Sequence, residues 1–177
     1  LFKMRRFIKI AYIFIIFIAF QNNIKAENAH YLDFKYVLNE STAGKAAQAF
    51  LKNKLSTGVK KLKDTEKKIQ EDEKKIIKQK KVISAEEYKK KVTQLRNKVS
   101  SLQKERNQLL ETVAKQRAKA RSEILKNLNP IIKEYMKEKK IRMVLDKKSL
   151  LLADENLDIT NDIINLLNKK LKLIKLN

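Results

Sequence analysis

The one imidazole of this chain, His30, stands beside Tyr31 with no serine or carboxylate placed to complete a triad and no ligand set for a metal. The stretch 41–45 (STAGK) carries half of a phosphate-binding loop. It lacks the first glycine, the Ser or Thr after Lys45, and a strand at the right distance before it. Asp33, Asp146, Asp154 and Asp158 fall where strands or helices should end, and capping or turn formation accounts for them. With no cysteine, thiolate nucleophiles, disulfides and Cys/His zinc sites are excluded. The residues that could do chemistry therefore point away from an enzyme, with no cofactor and no metal.

What the chain has instead is charge. Lys and Arg number 42 against 20 Asp and Glu, a formal net charge of +22 over 177 residues. Such a surplus calls for an acidic or polyanionic partner, or for an anionic lipid surface. Only two glycines and one proline leave too little turn chemistry for a many-stranded barrel within one chain, so long helices must carry the charge.

The N-terminus reads as a secretory signal over residues 1–26. Lys3, Arg5, Arg6 and Lys9 precede an uncharged apolar run of 11 residues at 10–20. That run is about half of the ~20 residues that a membrane-spanning helix needs. Ile24 and Ala26 place the cut before Glu27, and either Leu1, from a non-ATG codon, or Met4 opens the segment. Removing these residues takes away five basic side chains and no acidic one, so the exported chain keeps +17. Export argues against nucleic acid as the partner, as does a surplus made mostly of Lys rather than of Arg and aromatic residues.

Residues 51–126 predict a helical hairpin with its tip near 82–84. Leu55, Leu62, Ile69, Ile76 and Ile83 recur every seven residues, and four residues on from the first four lie Val59, Glu66, Glu73 and Lys80. Ser84 with Glu87 forms a capping box that starts a second helix. On that helix Tyr88, Val92, Leu95, Val99, Leu102, Leu109 and Val113 step by fours and threes, with Arg106 the polar interruption. A connection this short makes the helices antiparallel. It sets Ile83 against Tyr88, Ile76 against Leu95, Ile69 against Leu102 and Leu62 against Leu109. The interleaved row then predicts Val59 against Val113 and an ion pair of Glu66 with Arg106. Residues 52–126 hold 24 basic and 10 acidic side chains, so the arm carries +14. Counted from Ala43, about 40 residues before the turn, the first arm helix is roughly 60 Å long at ~1.5 Å per residue.

The two ends, 27–50 and 127–177, predict a small body. A strand is expected over 29–34 (AHYLDF), and a hairpin of strands at 141–145 (IRMVL) and 150–153 (LLLA). Ser41 or Thr42 caps the first arm helix, Pro130 introduces a kink into the second, and Asp158 caps a last helix over 159–171. Tyr31, Leu32, Phe34, Ile141, Met143, Val144, Leu145 and Leu151 are the candidate core, within a chain or between chains. A body of about 75 residues is of marginal size for a lone core, which makes oligomerisation the expected remedy.

This layout resembles the Skp/OmpH family of periplasmic chaperones over essentially all of the exported chain. The stretches that carry the resemblance are YLDFKYVLNESTAGKAA (31–47), IRMVLDKKSLLLADENLDIT (141–160) and the Lys-rich hairpin between them. The resemblance implies a mainly α fold with a small β body. Its short strands would join into an intersubunit β-barrel of a homotrimer, and three arms would enclose a cavity. It also implies a periplasmic holdase that keeps unfolded outer-membrane proteins from aggregating, without nucleotide hydrolysis. From periodicity alone, an exported structural coiled coil bound to an envelope surface through its basic arms stands as the alternative.

Overall fold

The computed structural model describes residues 29–176; the signal segment expected over 1–26 lies outside them. The fold is mainly helical, with long helices and one small two-stranded sheet. Its elements are β1 (His30–Leu32), α1 (Phe34–Glu40), α2 (Thr42–Gln79), α3 (Ala85–Glu138), β2 (Val144–Asp146) and α4 (Thr160–Lys170).

Local chemistry sets each boundary. The Asp33 carboxylate accepts from Tyr36 N at 2.8 Å and starts α1 at Phe34, so the strand expected over 29–34 stops at Leu32 and Phe34 is helical. Ser41 Oγ accepts from Gly44 N at 3.2 Å and starts α2. Ser84 does the same for α3 through Glu87 N, while the Glu87 carboxylate faces Lys91 at 3.7 Å. Helix α3 runs through Pro130 and stops where Lys140 takes a left-handed conformation, φ 56°. There Ile141 N donates to Met136 O at 2.8 Å and Lys140 N to Lys137 O at 3.4 Å, the paired bonds of a Schellman stop.

The hairpin expected from 141–145 and 150–153 is not formed. β2 spans only Val144–Asp146 and pairs in parallel with β1, His30 opposite Val144 and Leu32 opposite Asp146. The reason lies in Asp146, whose carboxylate accepts from Lys148 N at 3.1 Å and turns the chain into a 3-10 helix at Lys147–Ser149. Residues 150–153 follow as irregular backbone with Leu151 97% exposed. Tyr31 also bridges to Asp158, so β1 lies between β2 and the segment that leads into α4. Asp158 accepts from Thr160 N at 2.9 Å, from one residue upstream of the N-cap position.

The body core gathers Leu32, Val37 of α1, Ile124, Leu128, Ile131 and Tyr135 of α3, and Ile163 and Leu167 of α4. Two long-range bonds tie the chain ends together: Thr160 Oγ1 accepts from Asp33 N at 2.9 Å, and Asn168 Oδ1 from Thr42 N at 2.7 Å. The second satisfies a backbone donor at the start of α2 that has no partner within its own helix.

Within this core the Tyr135 hydroxyl donates to Asp162. Burial, then the hydrogen bond and charge of Asp162, push its pKa up to about 12. The folded value lies above the unfolded ~10. The neutral phenol's contribution is therefore complete below pH ~10 and is lost as pH rises through about 12. Thermal melts across that window should show wild type losing stability faster than Tyr135→Phe, which has no phenol to ionise. Parallel pH curves for the two would disprove the coupling.

Candidate functional site

The arm consists of α2 and the N-terminal part of α3, joined through a turn at 80–84. Leu62, Ile69 and Leu102 form its buried cluster, with Leu95 and Leu109 packed on it. Ile76 lies beside Leu95 in the next layer towards the tip, and Leu55, Ile83, Tyr88 and Val92 are half-buried. Val59, at 38% exposure, and Val99, at 44%, stand outside the seam. Val113 packs not against Val59 but with Ala47, Leu51 and Ala120 at the arm's root.

Behind these differences lies the second row of the first arm helix. It lies three residues on from the leucine and isoleucine row, not four, so Gly58, Thr65 and Asp72 turn inward. Positions three and four residues on flank the same helical face, and spacing alone does not separate them. Gly58 settles the choice: a Cβ there would lie 2.5 Å from Leu109 Cδ2, so the absent side chain is what lets Leu109 seat against the helix.

The expected Glu66–Arg106 pair is not made, because both residues fall on the exposed side of the seam. Among the described residues the two helices of the arm are instead joined by Asp72 with Lys98 at 2.6 Å and Lys61 with Glu105 at 3.7 Å. The hydrogen bond and charge of Lys98 hold the Asp72 carboxyl below its usual range. Lys91 Nζ donates to Gln79 Oε1 at 2.9 Å, making a second polar layer further out. Polar layers alternating with single apolar ones give a thin seam, held mainly by 62, 69, 95, 102 and 109. Such a seam bends and splays more readily than a packed bundle.

In the body, Tyr31, Leu32 and Ile141 are buried, and Phe34 and Val144 half-buried. Met143, Leu145 and Leu151 are open in the single chain, as is Leu152. Among the described residues β2 pairs with β1 alone, so Met143 and Leu145 lie along or next to a strand whose other edge has no strand partner, while Leu151 and Leu152 line a hollow with Tyr31, Lys147 and Asp158. His30 N donates to Met143 O at 3.1 Å, which places the imidazole-bearing residue in the sheet. Lys147 reaches Asp158 at 3.3 Å, and the hydrogen bond raises the lysine's pKa. Burial alone would raise the Asp158 carboxyl, but bonds from Thr160 and Lys147 outweigh it and the net shift is down.

The tail after α4 has a place that the sequence reading did not assign. Ile174 and Leu176 return to the arm's root, and the buried Gln116 side chain donates from Nε2 to the Leu176 carbonyl. A signal was present in the alternation of Ile174 and Leu176 within LKLIKLN, next to a helix end. Beside that contact, between α2 and α3, opens a groove of about 770 Å³ with an apolar floor.

No converging group of three or more His, Cys, Asp or Glu side chains is found among the described residues, nor a helix long and apolar enough to cross a membrane. The arrangement can hold another chain by charge and by apolar contact.

Comparisons with known proteins agree with this geometry. A crystal structure of an OmpH-like candidate outer membrane chaperone from Caulobacter crescentus matches with a TM-score of 0.77 at 21% identity, over 88% of this chain and 94% of that one. That likeness is one of fold. No curated protein sequence matches. The model of the family described as outer membrane protein (OmpH-like) matches residues 28–167. The chain thus belongs to the OmpH-like outer membrane protein family.

Proposed function

We propose that this protein is an ATP-independent holdase chaperone of the periplasm. In this reading three copies join through their sheets, and their arms shelter unfolded outer-membrane proteins until insertion. One observation carries the reading: a body with an open apolar strand edge is joined to an arm that carries +14. A spacer needs no such body, and a monomer would leave Met143, Leu145, Leu151 and Leu152 in water. A second copy pairing along β2 would cover Met143 and Leu145 and give the marginal core part of its missing area. Family membership and the fold shared with the Caulobacter structure support the same conclusion.

The charge suggests how capture works. Basic arms raise the local concentration of acidic chains, and many weak contacts along flexible walls hold a mobile client without one tight pocket.

The test is dilution of a urea-denatured outer-membrane barrel into the full-length exported chain, with scattering as the readout. Equimolar trimer should suppress aggregation without nucleotide. Suppression should also weaken as salt shrinks the screening length from ~8 Å near physiological strength to ~3 Å at 1 M. Sedimentation at micromolar concentration should give a trimer. A well-folded monomer, or unsuppressed aggregation, would sink the reading.

A further inference from the structure

The groove at the root of the arm is built from two kinds of residue. Its floor is small and apolar: Ala47, Leu51, Val113 and Ala120. Cations stand on its rim. Lys45 is neutralised by Glu40 at 2.8 Å, whereas Lys52, Arg117 and Arg121 have no ion pair among the described residues. Arg117 and Arg121 are one helical turn apart, on the same face of α3.

Another side of the same floor, outside the groove, is already occupied, and the occupant shows what the floor accepts. Ile174 and Leu176 are two residues apart, and they pack against the cluster of Ala47, Leu51, Val113 and Ala120 with the Leu176 carbonyl held by Gln116. An extended backbone with apolar side chains at alternate positions fits small residues between two helices. The tail itself carries Lys172 and Lys175 and has the wrong sign for the cationic rim. The same holds for most of the surface of a second copy, with 42 basic residues against 20 acidic. The complement is an extended segment of opposite charge.

We infer that this groove binds an extended acidic stretch of an unfolded polypeptide, apolar at alternate residues. Its apolar side chains would lie on the Ala47 and Ala120 floor and its carboxylates would meet Lys52, Arg117 and Arg121. The inference rests on the holdase reading and adds to it one fixed anchoring point at the base of each arm. A weak local anchor makes every further contact along the arm intramolecular, and so raises overall retention.

The probe is a fluorescein-labelled peptide of about ten residues alternating leucine and glutamate, titrated by anisotropy with the full-length exported chain at physiological salt. Two variants interrogate the site. The double substitution Arg117→Glu/Arg121→Glu reverses the rim at exposed positions. Ala49→Trp, also exposed, fills the groove from its wall without touching the core. Each should weaken the peptide at least ~10-fold. Lys89→Glu/Lys90→Glu, the same charge change at the exposed arm tip, should weaken it less than ~2-fold, because screening at ~8 Å isolates the tip from the root.

Equal losses at rim and tip would overturn the site in favour of diffuse charge attraction, and so would equal binding of a leucine–lysine peptide. Phosphatidylglycerol vesicles that displace the peptide from wild type and lose their own binding in Ala49→Trp would make it a lipid site instead. A lower sedimenting mass for Ala49→Trp would make it an interface between copies. The scattering assay on the same preparations separates the two readings. Failure of wild type to suppress aggregation sinks the holdase and leaves a peptide groove; suppression by wild type with unaltered peptide binding in both variants sinks the groove alone.

Discussion

Gly44→Ala should destabilise the body by about 2–3 kcal/mol, the upper part of the range for overpacking. A Cβ on Gly44 would lie 2.0 Å from the backbone oxygen of Leu38 and 2.9 Å from Ser41 Oγ. A backbone oxygen cannot rotate aside, so the elbow between α1 and α2 has to open. Opening it disturbs Ser41, which is fully buried and caps α2, and moves Val37, also fully buried, in the body core. The helix-propensity gain of Ala over Gly, about 1 kcal/mol, offsets only part of this. Gly58→Ala is the control, because its Cβ would meet only the side chain of Leu109, which is half-buried and can change rotamer. There the propensity gain and the repacking oppose each other, and the net change should stay within about 1 kcal/mol. Urea midpoints for the two variants decide the matter. A Gly44→Ala protein as stable as wild type would mean that α1 and α2 do not meet this closely.

Leu128→Ala should have a still larger effect, about 3–4 kcal/mol, within the range for a leucine removed from a core that cannot collapse around the cavity. Leu128 is fully buried, as are Val37, Ile163 and Leu167 in the same cluster, so α1, α3 and α4 all lose a packing partner at once. A body this small has a total stability of similar size. In the proposed trimer the loss should therefore appear as dissociation and a midpoint that depends on protein concentration. Val99→Ala on the arm, 44% exposed, should change stability by less than ~0.5 kcal/mol. Equal effects at 99 and 128 would contradict the division between a packed body and a thinly seamed arm.

The two long helices, the turn between them and the row Leu55, Leu62, Ile69, Ile76 were legible, because a seven-residue recurrence and a capping serine are local signals that hold wherever a helix forms. The inward second row was not. Residues 58 and 59, 65 and 66, 72 and 73 flank one helical face, and only the partner helix selects between them. It does so at Gly58, where Leu109 needs the space.

Local pattern also suggested that IRMVL and LLLA would pair as neighbours. Parallel pairing of β1 with β2 joins residues more than a hundred positions apart, with the whole arm as their crossover, and no short-range signal encodes it. The tail was readable as apolar alternation but not as a strap, since its destination at Gln116 exists only once α2 and α3 are packed. The same packing creates the groove beside it. Charge, helicity and the arm came from the amino acids themselves, because composition and period act through neighbours along the chain. The elbow at Gly44, the inner row, the parallel sheet and the groove at the arm's root were decided by contacts between distant segments, and these form only when the burial of apolar surface brings the segments together.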